Sequence, residues 1–128
     1  RSRPTHSDSE TLPVTDNMNK DSWAGLLGAI GVGMGAFGAH WGKSALAARG
    51  TTDAYKTAVL YHLLHSVALL ALPKAIPDRT VHAWVAGVFL FSGSIYGLAF
   101  GGPRFLGPVT PIGGFCFIYG WTTLIKLK

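Results

Sequence analysis

Charge is scarce in this chain, and its absence is concentrated. Only 13% of the 128 residues are Asp, Glu, Lys or Arg, against about 25% in an ordinary soluble domain. Four stretches, 23–41, 55–72, 81–100 and 111–127, hold almost none of it; Lys56 and Lys126, near stretch ends, are their only charges. No carboxylate lies inside any stretch, so no nucleophile–base–acid set can be assembled there. The chain reads as no enzyme, with no catalytic residue to assign. Cysteine is nearly absent too. Cys116 alone cannot form an intramolecular disulfide. Its neighbours Phe115, Phe117 and Ile118 are unlike the electropositive, exposed setting of a reactive thiol, so packing is its expected role. Residues 1–22 have no apolar core and contain Asp8, Glu10, Asp16 and Asp21, which excludes a signal peptide and an intact transit peptide. The missing methionine at Arg1 fits a remnant left after an organellar presequence was removed, or upstream sequence that is not shown.

What is present is apolar and long. Each of the four stretches approaches the ~20 residues an α-helix needs to cross a bilayer. Only helices or closed barrels satisfy every backbone polar group in hydrocarbon. The expectation is an all-α integral membrane four-helix bundle over 23–128, with a polar N-terminal arm over 1–22. Trp23 and Trp41 bracket the first span, about 27 Å apart at 1.5 Å per residue, in the positions of interfacial aromatic belts. Asp21-Ser22 offers its N-cap. Residues 43–49 read as a short amphipathic connector stopped by Gly50, after which Thr51, Thr52 and Asp53 can cap the second span. Pro73 stops that span. Pro77-Asp78 leads into the third, Gly101-Gly102-Pro103 ends it, and Thr110-Pro111 is expected to open the fourth.

The net charge is +5. A nucleic-acid partner would need the basic residues on one face. They are instead dispersed over connectors, as charges that hold helix ends at headgroups, so the bilayer is the expected partner and nucleic acid is not. Lys20, Lys74, Arg79, Lys126 and Lys128 fall on one side, and Lys43, Arg49, Lys56 and Arg104 on the other. That imbalance does not orient the chain.

Glycine is abundant inside the spans. Gly33 to Gly38 formally matches G-x-G-x-x-G, with Asp53 twenty residues beyond Gly33. A dinucleotide fold needs a preceding strand, which a span cannot supply. Gly31 and Gly35, and Gly93, Gly97 and Gly101, instead have the small-x-x-x-small spacing of close helix contacts. Among intramembrane polar residues, His40 ends the first span, and Tyr61 and His65 lie one turn apart in the second. Ser92 and Ser94 lie in the third. Haem would need two facing histidines. His62 and His65 share one helix face, and His40 and His82 lie near opposite surfaces. Zinc lacks a cysteine partner or an intramembrane carboxylate. The reading is therefore no cofactor and no metal, with neutral imidazoles hydrogen-bonded between helices.

Four strings occur in order: Gly35-Ala-Phe-Gly-Ala-His40; Tyr61 with His65 and Ala68-Leu-Leu; Phe91-Ser-Gly-Ser-Ile-Tyr96; and Gly107-Pro-Val-Thr-Pro-Ile-Gly-Gly114. Together they resemble the domain of unknown function 423 family, small membrane proteins of bacterial inner membranes and eukaryotic transmembrane protein 256-like relatives. The resemblance covers about 23–127. It implies four membrane helices and no established active site. His40 and His65 match the family's motif histidines, whereas His62 stands where many relatives carry Gln. Trp41-Gly42-Lys43 departs from the small residue usual after the motif histidine. Two functions follow as expectations. One is an accessory or structural subunit packing against other membrane-protein subunits, in the mitochondrial inner membrane and a respiratory complex. The other is a small lipid-, quinone- or proton-handling protein.

Overall fold

In the computed structural model, residues 18–126 are described, and every regular element among them is helical. The helices are α1 (Lys20–Ala39), α2 (Lys43–Arg49), α3 (Thr52–Ala71), α4 (Asp78–Ala99) and α5 (Leu106–Thr122). The polar arm lies outside the described residues up to position 17, so its expected form is not addressed by the structure.

Local chemistry sets most boundaries. Asn19 caps α1, its side-chain oxygen accepting the Ser22 N–H at 2.8 Å. The helix therefore starts at Lys20, and Asp21-Ser22 lies inside it rather than capping it. Gly50 stops α2 with φ 68°, a left-handed conformation that suits glycine. The expected Thr51 cap on α3 is not made: its hydroxyl donates to the Ala99 carbonyl at 2.9 Å and ties the start of α3 to the end of α4. Leu72 before Pro73 is extended, as the proline ring requires. At the end of α4, Gly101 has φ 89°, and the Gly102 N–H returns to the Gly97 carbonyl at 2.7 Å.

Two features depart from the expected helices. Residues Val88–Ser92 of α4 form a π turn, closed by the Gly93 N–H on the Val88 carbonyl. And α5 does not open at Thr110-Pro111. It begins at Leu106 and holds Pro111 inside it. Proline has no N–H for the Gly107 carbonyl, yet the helix runs on. Pro108 falls in the first turn, where N–H groups have no intrahelical acceptor anyway.

The helices pack as two antiparallel hairpins, α1 with α3 and α4 with α5, joined through α3 and α4. Lys20 donates to the Leu70 carbonyl at 3.1 Å, setting the start of α1 level with the end of α3. Thr80 and Thr123 share a hydrogen bond of 2.5 Å, setting the start of α4 level with the end of α5. One core cluster gathers Ala24, Leu27, Leu69, Val81, Trp84, Val85, Val88 and Phe117; a smaller one holds Leu46, Tyr55 and Ala99 near α2.

Burial is inverted relative to a water-soluble bundle. His62, His65, Ser66, Thr80, Ser92 and Ser94 are buried, while Leu60, Leu64, Val67 and Leu70 of α3 face outward, as do Ile112, Phe115 and Ile118 of α5. Contiguous exposed apolar surface of this kind marks contact with a membrane or a protein. By length and composition, α1 and α4 are long and apolar enough to cross a bilayer. Helix α3 carries Asp53, Lys56 and two histidines, and α5 has only 17 residues.

Candidate functional site

The polar residues converge on one seam, built mainly by α3. His62 and His65 face inward, and each is 2% exposed. His62 Nε2 lies 2.8 Å from the Leu27 carbonyl of α1, and its Nδ1 lies 2.8 Å from the Tyr96 hydroxyl of α4. A carbonyl only accepts, so Nε2 carries the proton; in a neutral ring Nδ1 then accepts from the Tyr96 hydroxyl. His65 is the opposite tautomer. Its Nδ1–H donates to the Tyr61 carbonyl at 2.8 Å, and Nε2 accepts the Trp121 indole N–H at 3.0 Å. Indole nitrogen is a donor only, so the His65–Trp121 bond exists only while the imidazole is neutral.

Around His65 the packing is aromatic. Phe117 stacks on the imidazole with centroids 3.8 Å apart and planes 11° apart, and Trp84 and Trp121 meet it edge-on at 5.5 and 5.9 Å. Glycines make room for those rings. A side chain at Gly87 would run into Phe117, and one at Gly120 would run into the Trp84 indole. Helices α4 and α5 are therefore reciprocal: each buries an aromatic ring over a glycine of the other. Trp84 also donates to the Phe117 carbonyl at 3.3 Å.

Around that seam, hydroxyls bond carbonyls. Ser66 donates to His62 at 2.8 Å and Ser92 of α4 to Ala58 of α3 at 2.7 Å. Ser94 donates to Phe91 at 3.0 Å and also bonds the Thr110 hydroxyl. Tyr55 donates to the Met34 carbonyl. Among the described residues no buried side-chain nitrogen or oxygen lacks a partner, and no three His, Cys, Asp or Glu come together as a metal site.

The structure scatters the residues singled out by sequence. His65, Ser92 and Ser94 are buried in the seam, Tyr61 is partly exposed against Phe91, and His40 is exposed at the end of α1. Gly31 faces His62 and Leu63, and Gly35 faces Val59, both in the α1–α3 contact. Gly93, Gly97 and Gly101 share no helix contact: a Cβ at Gly93 would meet only the Val88 carbonyl oxygen of its own helix at 4.0 Å, Gly97 faces Leu106, and Gly101 lies past the helix end beside the Arg49 guanidinium. Gly113 is the glycine whose Cβ would meet the backbone of a neighbouring helix, coming within 2.6 Å of the Leu90 carbonyl carbon. Sequence reading missed Gly38, Gly87, Gly113 and Gly120. Gly113, Phe117 and Gly120 fall at i, i+4 and i+7, one face of a helix, a spacing that could have revealed the contact with α4.

This is an all-helical protein with polar groups turned in and apolar groups turned out, the arrangement of a membrane protein. Residues 34–114 match the family described as Protein of unknown function (DUF423), and the chain belongs to it. A UPF0382 membrane protein of Staphylococcus saprophyticus is 37% identical over 110 residues, covering 78% of this chain and 91% of the relative. One from Haemophilus influenzae is 36% identical over 105 residues, covering 77% and 84%. One from Schizosaccharomyces pombe is 35% identical over 112 residues, covering 80% and 94%. No solved structure matches the chain. The chain is a membrane protein and contacts the lipid bilayer.

Proposed function

We propose that the chain is a non-enzymatic, four-span membrane protein whose work is to pack against other membrane-protein subunits. The observation that carries this is the closed polar seam: all four ring nitrogens of His62 and His65 are engaged within the chain. An active site keeps a group available for substrate, and a ligand site keeps an available donor. Here the polar side chains at depth are spent on holding helices together. The outward apolar residues of α3 and α5 support four spans and leave surface for a neighbour.

The finer reading is an accessory subunit of a respiratory assembly in the mitochondrial inner membrane. A fission-yeast relative supports a eukaryotic setting. Bacterial relatives mean that the packing role, rather than the compartment, is what the family would share. The test is native electrophoresis after mild detergent extraction of fractionated cells. Co-migration with a complex of several hundred kilodaltons in the mitochondrial fraction is expected; a free small species would overturn the subunit reading.

A further inference from the structure

An open groove runs between α4 and α5 on the outer face of the second hairpin. Ala83, Ile112, Phe115 and Tyr119 line it, with Arg79 and His82 at one end. Its walls are almost wholly apolar, and it offers about 580 Å³. The Thr80–Thr123 bond places its cationic end level with the ends of both helices. From Tyr119 the groove descends to Ile112, seven residues along α5, or about 10 Å. The small side chain of Ala83 keeps its floor low.

Charge in the groove is one-sided. No carboxylate lines it. Asp78, adjacent to Arg79 in sequence, turns instead to a neighbouring recess with Lys20, Lys74 and Asp21, which His82 borders as well, so Arg79 is the groove's one unopposed charge. Successive helical residues point about 100° apart, which separates the aspartate from the arginine. Arginine presents a planar fork suited to phosphate oxygens, and the exposed His82 imidazole adds a donor one turn further along. Tyr119, 52% exposed, has the amphipathic ring favoured at headgroup level.

We propose that this groove is a binding site for an anionic diacyl phospholipid, with the headgroup phosphate held by Arg79 and His82 and an acyl chain lying along Ala83, Ile112 and Phe115. The site rests on the four-span reading, because α5 forms one wall and must lie in the membrane. A basic end joined to an apolar cleft between membrane helices is the chemistry by which such lipids are recognised. The closed histidine seam takes no part in it.

The test uses the full chain in mild detergent and native mass spectrometry with added phosphatidylglycerol or phosphatidylcholine. Wild type is expected to retain one phosphatidylglycerol in roughly tenfold preference, the scale of one charge-assisted phosphate contact. Arg79→Gln with His82→Gln should bring retention down to that of phosphatidylcholine, and Ala83→Leu should lower both by filling the groove. Lys56→Gln, at the other end of the bundle, should change nothing. Equal retention of the two lipids, an unchanged preference in the double variant, or an equal loss in Lys56→Gln would overturn the site. So would a photo-crosslinker at Phe115 that captures protein rather than lipid in native membranes. Protease protection of tags at the two termini separates the failures. Tags on opposite sides overturn the four-span reading and the groove together; tags on one side with no lipid preference overturn the groove alone.

Discussion

At the scale of single residues, the two buried histidines solve the same problem by opposite means. Each needs one acceptor and one donor, and each finds them on different helices or turns. His62 bridges α1 and α4 from its place on α3. Glutamine also carries one donor and one acceptor on a planar group. His62→Gln should therefore keep both bonds, donating to Leu27 and accepting from Tyr96, with stability within about 0.5 kcal/mol of wild type. His62→Leu should cost more, on the order of 1–2 kcal/mol, because it strands two polar groups. Unfolding in detergent micelles by mixed-micelle titration measures both; equal losses would remove the bridging role. The Gln that the family resemblance puts at this position has the same hydrogen-bonding capacity. His65 depends on neutrality. Trp121→Phe keeps a ring but removes the only indole donor to Nε2 and should cost about 0.6 kcal/mol, the average for such bonds in membranes. Purified protein should show no Soret band. A stoichiometric haem spectrum lost in His65→Ala would overturn the structural role given to this residue.

At the scale of elements, glycine position matters more than glycine spacing. Gly113→Leu should separate α4 from α5, because its Cβ would meet backbone rather than a movable side chain. Gly93→Leu, whose Cβ would meet only the Val88 carbonyl oxygen of its own helix at 4.0 Å, should insert and fold normally. Thermal stability of the two purified variants checks this, and equal stability would refute the packing described here. The contrast also shows what the sequence could disclose. Helix ends were legible where one residue dictates the backbone: Gly50 and Gly101 with positive φ, and Pro73 forcing Leu72 out of the helix. The regular Gly93-Gly97-Gly101 spacing misled because it assumes an unbroken helix with one continuous stripe. Helix α4 ends at Ala99, so Gly101 lies beyond it, and of the other two only Gly97 meets a neighbouring helix, at Leu106. Pro111 misled in the other direction. A proline reads as a helix start, but here the close Gly113 contact and the Thr110–Ser94 bond hold the helix through it. The seam was legible as polar residues on α3. Their partners were not, since a backbone carbonyl such as Leu27 carries no mark in the sequence.

At the scale of the molecule, side-chain contacts fix the relation between the two ends of the chain. The start of α1 is level with the end of α3 through Lys20 and Leu70, and the end of α3 leads through residues 72–77 to the start of α4. The start of α4 is level with the end of α5 through Thr80 and Thr123. Residues near 20 and near 123 therefore lie at one end of the bundle. If that bundle stands across a membrane, as the outward apolar faces of α3 and α5 support, both termini share a compartment. Tags at each terminus should show the same protease accessibility in sealed vesicles, and opposite accessibility would mean that one helix lies flat or outside. The same geometry shapes the association test. Gly31 and Gly35 are already used between α1 and α3, so Gly35→Leu should act by loosening that hairpin. A partner would instead meet the outward residues Leu60, Leu64 and Val67 of α3, each more than half exposed. Replacing Leu64 and Val67 with alanine should leave folding intact within about 1 kcal/mol, because exposed side chains contribute little to the chain's own packing. In native electrophoresis the same double variant should leave the large assembly. Its retention at wild-type level would move the contact to another face, and absence of the wild type from any assembly would end the subunit reading.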